Sequence, residues 1–364
     1  MQPPAGLQPL GWERFPTPFP AEALAAFQLT AARLVVDAPA QRSACPTPYA
    51  LRMAAQAALE EGLDADAFFR RWFRPHDVPG PGFVTAYYEP EIEARRAATP
   101  DFATPILSRP RDLVTLDKPI VDRTTGEKLA AAWRAADGAL RPFHTRAAIE
   151  SASPDDALLA GARPLAYLRD PVELFLLQVQ GSGRLRFPDG ETVALTYDGR
   201  NGWPYTSIGK RLIDLGIVAE RDMSLDHLKA ALRAMGVGPD AAGRRLMWEN
   251  RSYVFFRIDD SSARRLGPIG GAGCVLTPMW SIAVDRNIWC YGLPFFISAC
   301  VPWRGTTASK LERLMIAQDT GSAIIGPARA DLFFGAGPEA GRRAGSVRHE
   351  ASFVAFLPEA PPSS

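Results

Sequence analysis

The chain has 364 residues, enough for two domains or for one large domain carrying an insertion. Its apolar fraction of 47% and charged fraction of 22% exclude a disordered chain and allow a sizeable core. Lys plus Arg total 41 against 40 for Asp plus Glu, so a net charge of +1 leaves no whole-chain electrostatic case for nucleic acid or an anionic surface.

No apolar run approaches the ~20 residues needed to span a bilayer. Met1-Gln2-Pro3-Pro4 has neither the basic region nor the apolar stretch of a secretory signal, and no small-residue stretch ends in a lipid-attachable Cys. The 33 prolines and 30 glycines predict many short segments joined by turns, hence a β-rich fold. Residues 1 to about 20 are proline-rich and read as irregular. Ala21 to Val35 has helical spacing, and Leu51 to Leu63 and Ala65 to Phe73 predict two more helices, with Asp64 as an N-cap. The β-branched and aromatic run Phe83 to Tyr88 predicts a strand limited by Pro90, and Thr104 to Leu107 another. A helical piece is expected around Leu129 to Ala136. Pro171 to Leu177 is open between helix and strand, because periodicity does not arbitrate at that length. Arg184 to Phe187 and Thr192 to Thr196 flank Pro188-Asp189-Gly190, a hairpin signal. Ser207 to Leu215 closed by Gly216, and Leu225 to Met235 followed by Gly236, predict helices. Tyr253 to Phe256 predicts a strand. After Gly270-Gly271 mostly short strands are expected, and Pro358 to Ser364 reads as a disordered tail.

The four cysteines, Cys45, Cys274, Cys290 and Cys300, form no Cys-x-x-Cys pair, which argues against zinc. The last three lie in apolar runs and read as buried free thiols, with a disulfide among them open if the chain is exported. His76, His144, His227 and His349 fall in no metal-binding spacing and beside no nucleophile. No metal or organic cofactor is expected.

Three aspartates in the C-terminal third stand out: Asp285 after Ile282-Ala283-Val284, Asp319 in Gln318-Asp319-Thr320-Gly321-Ser322, and Asp331 in Ala330-Asp331-Leu332-Phe333-Phe334. Singly, each reads as a turn or cap acceptor. Together they suggest a site, since a carboxyl at the end of an apolar strand is partly desolvated. Desolvation and a like-charged neighbour both raise its pKa from about 3.9. An acid catalyst near neutral pH needs that shift. Asp319-Thr320-Gly321-Ser322 also matches the aspartic protease tetrapeptide, but there is only one such loop in a chain far longer than half-sized subunits.

A series of segments in order carries a broader likeness: Ala86-Tyr87-Tyr88-Glu89-Pro90, Leu177-Gln178-Val179-Gln180-Gly181-Ser182-Gly183, Asp198-Gly199-Arg200-Asn201-Gly202, Tyr205-Thr206-Ser207-Ile208-Gly209-Lys210, Tyr253-Val254-Phe255-Phe256, the three aspartates, and Gly337-Pro338-Glu339-Ala340-Gly341. Over roughly residues 82 to 356 the chain resembles the membrane-bound lytic transglycosylase A family, including its C-terminal three-aspartate domain. The resemblance implies a mainly β fold: a double-psi β-barrel domain with an inserted smaller β domain and an N-terminal helical lead-in. Residues 1–104 would hold the helices and the first part of the barrel, 105–255 the insert, 256–357 the rest of the barrel, and 358–364 the tail. It implies cleavage of peptidoglycan between N-acetylmuramic acid and N-acetylglucosamine, with 1,6-anhydro ends, in the periplasm and in association with the outer membrane. Its partners would be the glycan strand and proteins of cell-wall synthesis or division.

By the same resemblance Asp331 is the catalytic acid, then base, and Asp319 and Asp285 set its pKa or position. Tyr87, Tyr88, Glu89, Gln178, Gln180, Ser182, Lys210 and Asp285 would meet the glycan, Glu89 by orienting the site. On a strand Gln178 and Gln180 would share a face, where two amides suit sugar hydroxyls or equally a buried backbone. Tyr87 and Tyr88 also read as plain strand residues, Gly181 and Gly183 as turn glycines, and Lys210 as a helix-surface lysine. A non-catalytic glycan-binding module is the competing class.

Overall fold

The computed structural model describes residues 4–359 except 61, 153–158, 160, 262, 263, 265 and 306. The chain folds as two compact units, one formed by Met1–Tyr88 with Ser262–Ser364 and the other by Glu89–Ser261.

In the first unit six strands close on themselves. They are β3 (Gly82–Glu89), β13 (Ser281–Val284), β14 (Pro294–Val301), β15 (Ser309–Asp319), β16 (Arg329–Ala336) and β17 (Arg348–Pro358), in the order β17-β14-β15-β13-β16-β3, and β3 returns to β17 with Thr85 opposite Arg348. The pairing of β13 with β15 is parallel, while β13 with β16, β14 with β15, and β17 with β14 and β3 are antiparallel. β17 serves three partners. One edge lies along β14, and the other is shared between β3 at Arg348–Ala351 and β2 (Phe73–Asp77) at Val354–Pro358. β1 (Gln8–Pro9) extends that edge through β2.

The expectation of mostly short strands after Gly270 is therefore corrected. β15 and β17 each run for 11 residues, because closing a barrel tilts its strands and each long edge must supply hydrogen-bond partners. The expected tail is corrected at its start too. Pro358 ends β17, and Glu359 N–H donates to the Trp72 carbonyl at 2.9 Å; residues 360–364 lie outside the described set.

The helical lead-in follows from local signals. α1 (Ala21–Val35) starts after Pro20 and buries Ala23, Leu24, Phe27 and Ala31. α2 (Tyr49–Ala57) is shorter than expected, and α3 (Ala65–Trp72) is capped by Asp64, whose Oδ1 accepts from Ala67 N–H at 2.8 Å. Phe27 meets Phe68, Phe69 and Phe73 with ring centroids 5.4 to 6.2 Å apart. One buried polar cluster ties α1 to the barrel: Gln318 Nε2 donates to the Ala26 carbonyl at 2.8 Å and to Thr30 Oγ1 at 2.7 Å, while its Oε1 accepts from Ser281 Oγ. Cys274 and Cys290 are buried thiols with burial raising both, and no disulfide joins the cysteines. Cys300 corrects the expectation of burial; it is exposed, on an outward position of β14.

The second unit combines small sheets and helices. β4 (Glu91–Glu93), β10 (Ser182–Arg186), β11 (Thr192–Arg200) and β12 (Val254–Ile258) form one sheet in the order β12-β11-β10-β4. The expected hairpin joins β10 to β11, with Arg186 opposite Thr192. β5 (Thr104–Leu107) pairs with β9 (Pro164–Leu168), and β6 (Leu113–Val121), β7 (Lys128–Arg134) and β8 (Leu140–Pro142) form a third sheet. α4 (Arg146–Ser151) precedes α5 (Pro171–Gln180), which packs with α6 (Ile208–Asp214), α7 (Leu225–Ala234) and α8 (Ala242–Trp248) around Phe175, Leu212 and Leu232.

The helix expected at Leu129 to Ala136 is a strand, β7. Its alanines are used for close approach rather than for helix propensity, which is a weak prior. Gly202, at φ +88°, lies against Ala131, and a Cβ there would come within 2.3 Å of the Ala131 nitrogen. Gly202→Ala adds both a left-handed strain and a backbone clash. It should lower unfolding free energy by more than about 1 kcal/mol, read from a shift in urea midpoint.

Candidate active site in the barrel

Ala283 of β13 is the centre of a short row. On its parallel side it pairs with Asp319, the last residue of β15; on its antiparallel side it pairs with Asp331 of β16. The β13–β15 register shifts at this pair, so the face is given by contacts instead: Asp331 bonds to Thr85 and Asp319 to Tyr87, two residues apart on β3. Two strand spacings separate their backbones, about 10 Å.

β3 supplies the groups that meet them. Thr85 and Tyr87 are two residues apart on this strand and so share a face. Thr85 Oγ1 donates to Asp331 Oδ1 at 2.5 Å. Tyr87 donates its hydroxyl to Asp319 Oδ2 at 2.9 Å, and Gly271 N–H donates to Asp319 Oδ1 at 2.8 Å, so each Asp319 oxygen has its own donor. Arg329, two residues before Asp331 on β16, donates from Nη2 to Thr85 Oγ1 at 2.8 Å. The Tyr87 ring packs on Phe333 with centroids 5.3 Å apart. Burial, then the nearby Asp319 and Asp331 carboxyls, hold the Tyr87 phenol well above its ordinary range, so it remains a donor.

Burial pushes the Asp331 carboxyl up to about 6, against the opposing pull of Arg329 and the Thr85 hydrogen bond; Asp319 adds the smallest push. Desolvation, rather than the second carboxylate, therefore dominates. Asp285 acts elsewhere. Its Oδ1 accepts from Asn287 N–H at 3.0 Å and Nδ2 at 3.1 Å, and its Oδ2 from Gly326 N–H at 2.9 Å. Through Gly326 it holds the loop between β15 and β16.

The remaining expected residues are dispersed. Tyr88 is buried on the opposite face from Tyr87, against Gly341 of α9 (Gly337–Ala344), where a Cβ would lie 2.7 Å from its ring. Glu89 is buried, with Oε2 accepting from Arg184 Nε at 3.1 Å. Gln178 and Gln180 do not sit on a strand. Both belong to α5, where residues two apart point about 160° apart, so the shared-face arrangement is corrected. Gln178 is 5% exposed and donates to the Val254 carbonyl at 2.9 Å. Gln180 ends the helix, half-buried, before Gly181, the left-handed C-cap at φ +78°. Ser182 opens β10 opposite Thr196, and Lys210 is exposed on α6.

Thr85 and Arg329 carry direct contacts at this site yet were not singled out from the sequence. The available signal was period-two spacing, Thr85 from Tyr87 and Arg329 from Asp331. Among the described residues no group of three or more His, Cys, Asp or Glu is placed to hold a metal ion.

The MltA specific insert domain matches residues 83–257 and the 3D domain matches residues 280–357, so the barrel with its aspartate row is of the 3D class. The structure is similar to that of a membrane-bound lytic murein transglycosylase from Agrobacterium tumefaciens, 33% identical with a TM-score of 0.82, covering 97% of each chain. It is similar also to MltA from Neisseria gonorrhoeae, 31% identical with a TM-score of 0.71 over 94% of this chain and 89% of that one. In sequence, membrane-bound lytic murein transglycosylase A of Escherichia coli K12 is 34% identical over 272 residues, 73% of this chain and 62% of the relative; that of Vibrio cholerae is 38% identical over 191 residues, 51% and 49%. The matches thus span about half to three-fifths of these curated relatives' lengths. The chain belongs to the membrane-bound lytic murein transglycosylase A family.

Gln178→Ala removes a buried hydrogen bond and leaves the Val254 carbonyl without that donor. A stability loss of about 1–3 kcal/mol is expected, measured by chemical denaturation of the purified chain.

Proposed function

We propose that this chain is a lytic transglycosylase of peptidoglycan. It cleaves the β-1,4 bond between N-acetylmuramic acid and N-acetylglucosamine. The observation that carries this reading is Asp331, a carboxyl raised to about 6 by burial, with a hydroxyl donor on one oxygen. Such a group can hold a proton near neutral pH and return as a base. Asp331 donates its proton to the glycosidic oxygen as the C1–O bond breaks. The resulting carboxylate takes the proton of the muramic C6 hydroxyl, and O6 bonds to C1 to close the 1,6-anhydro ring. No water is consumed and no enzyme nucleophile is needed, unlike the paired-carboxylate hydrolases. Asp319, gripped on each oxygen by Tyr87 and Gly271, presents a fixed acceptor beside the reacting centre.

The glycan as ligand is supported by a solved E. coli MltA with bound chitohexaose, 26% identical with a TM-score of 0.67. A double-psi connection of the six strands, with the Glu89–Ser261 unit as an insertion between β3 and β13, is part of the same proposal. So is a periplasmic location at the outer membrane. The relatives' names describe them as membrane-bound, and no described helix of this chain is long and apolar enough to cross a membrane.

Mass spectrometry of digested peptidoglycan tests the reaction. Muropeptides should end in 1,6-anhydro-N-acetylmuramic acid and resist borohydride reduction. Reducible ends would indicate a hydrolase, cut peptides with intact sugars a protease, and no release a binding module; each rejects the transglycosylase. Asp331→Asn should lower turnover by about 10²–10⁴-fold, and a loss below about tenfold would reject Asp331 as the acid. The protonated acid is the reactive form, so kcat/KM should be highest below pH about 6 and fall as pH rises through that value.

A further inference from the structure

We propose that Arg329 and Thr85 form a one-way donor relay that fixes the Asp331 carboxyl and confines its transferable proton to Oδ2. This rests on the assignment of Asp331 as the acid, and names the residues that position it. The direction follows from donor counting. A guanidinium has only donors, so Arg329 Nη2 must donate to Thr85 Oγ1, at 2.8 Å. The Thr85 hydroxyl has one proton, and it goes to Asp331 Oδ1 at 2.5 Å. Oδ1 is thereby an acceptor in both protonation states. The acid proton is left to Oδ2, and the same oxygen receives the proton back in the second half of the reaction.

Arg329 is itself immobilised. Its Nη1 donates to the Ala330 carbonyl, and its guanidinium lies over the Phe83 ring, 5.5 Å from the centroid. Its partner Thr85 lies 244 positions away in sequence, so the relay forms only when β3 and β16 adjoin in the closed barrel. The groups facing Asp331 are Thr85 and Tyr87 from β3, Arg329 from β16, Asp319 from β15, and uncharged Ala283 from β13. Of these, Arg329 and Thr85 favour the carboxylate and Asp319 opposes it. Without the relay the proton is held more tightly, which moves the fall of activity to higher pH and hinders the acid step.

The test is a pH profile of kcat/KM on peptidoglycan for Thr85→Val, Thr85→Ser, Arg329→Met and Arg329→Lys, paired with carbon-13 carboxyl NMR titration of Asp331 in each full-length variant. Thr85→Val and Arg329→Met should raise the Asp331 midpoint by about 0.4 to 1 pH unit in both measurements. Thr85→Ser should restore the parent midpoint, because the hydroxyl is all the relay needs. Arg329→Lys keeps the charge but loses the fork and should fall between. A native-like Thr85→Val or Arg329→Met whose Asp331 midpoint stays at the parent value overturns the relay. If Thr85→Val does not fold, the Arg329 pair decides by the same criterion. The NMR arm needs no turnover. An active Asp331→Asn would sink the acid assignment while a raised midpoint in the variants still upheld the relay.

Discussion

The site depends on a pairing constraint: one alanine, Ala283, is paired to a strand on either side, with a register shift on the β15 side. Each strand ends or passes at an aspartate. A sheet sets its strand spacing within a few tenths of an ångström, so the carboxyls can neither merge into a proton-sharing pair nor drift apart. The residue between them carries only a methyl group, so no larger side chain of β13 separates the two carboxyls. The closed ring makes this geometry rigid. Slipping any one strand would flip its alternate residues to the other face, and β17, bound to three partners, resists that from the far side.

That rigidity allows the site to hold an energetically unfavourable group. A desolvated carboxyl destabilises its surroundings when ionised. Thr85 and Arg329 offset only part of this effect, as the remaining upward displacement of Asp331 shows. Full compensation would produce an ordinary surface-like carboxylate, unprotonated at neutral pH and useless as an acid. The balance of burial against two donors therefore fits a catalytic group better than a structural ion pair.

The sequence was legible where the governing signal is local. α1, β5, the β10–β11 hairpin and the Asp64 cap follow from spacing, β-branching and turn chemistry within a few residues. It was less legible where packing overrides propensity. Alanines in β7 resemble a helix until Gly202 is seen pressed against them. The segment from Pro171 stays open between helix and strand in the sequence, and the shared face of Gln178 and Gln180 holds only for a strand; Gly181 in the left-handed C-cap conformation settles it as a helix. The three aspartates were visible as acids beside apolar runs. That Asp319 and Asp331 share a face while Asp285 clamps a loop depends on strand register, which no local pattern encodes. Period-two spacing puts Thr85 with Tyr87 and Arg329 with Asp331, but that β3 and β16 adjoin so that the two pairs meet depends on the same long-range pairing.

The polar cluster around Gln318 carries a consequence for the order of events in folding. Gln318 immediately precedes Asp319, and its amide is satisfied by α1, 292 positions earlier in the chain at Ala26 and 288 at Thr30. α1 is synthesised first, yet it finishes docking only after β15 exists. Phe27 of α1 meets Phe68, Phe69 and Phe73, which follow within the first 73 residues, whereas the Gln318 bonds wait for β15. Contacts at such separation are reached late and slowly, because the chain between them must be closed before they form. The bond that ties α1 to the strand bearing Asp319 therefore closes one of the longest loops in the chain.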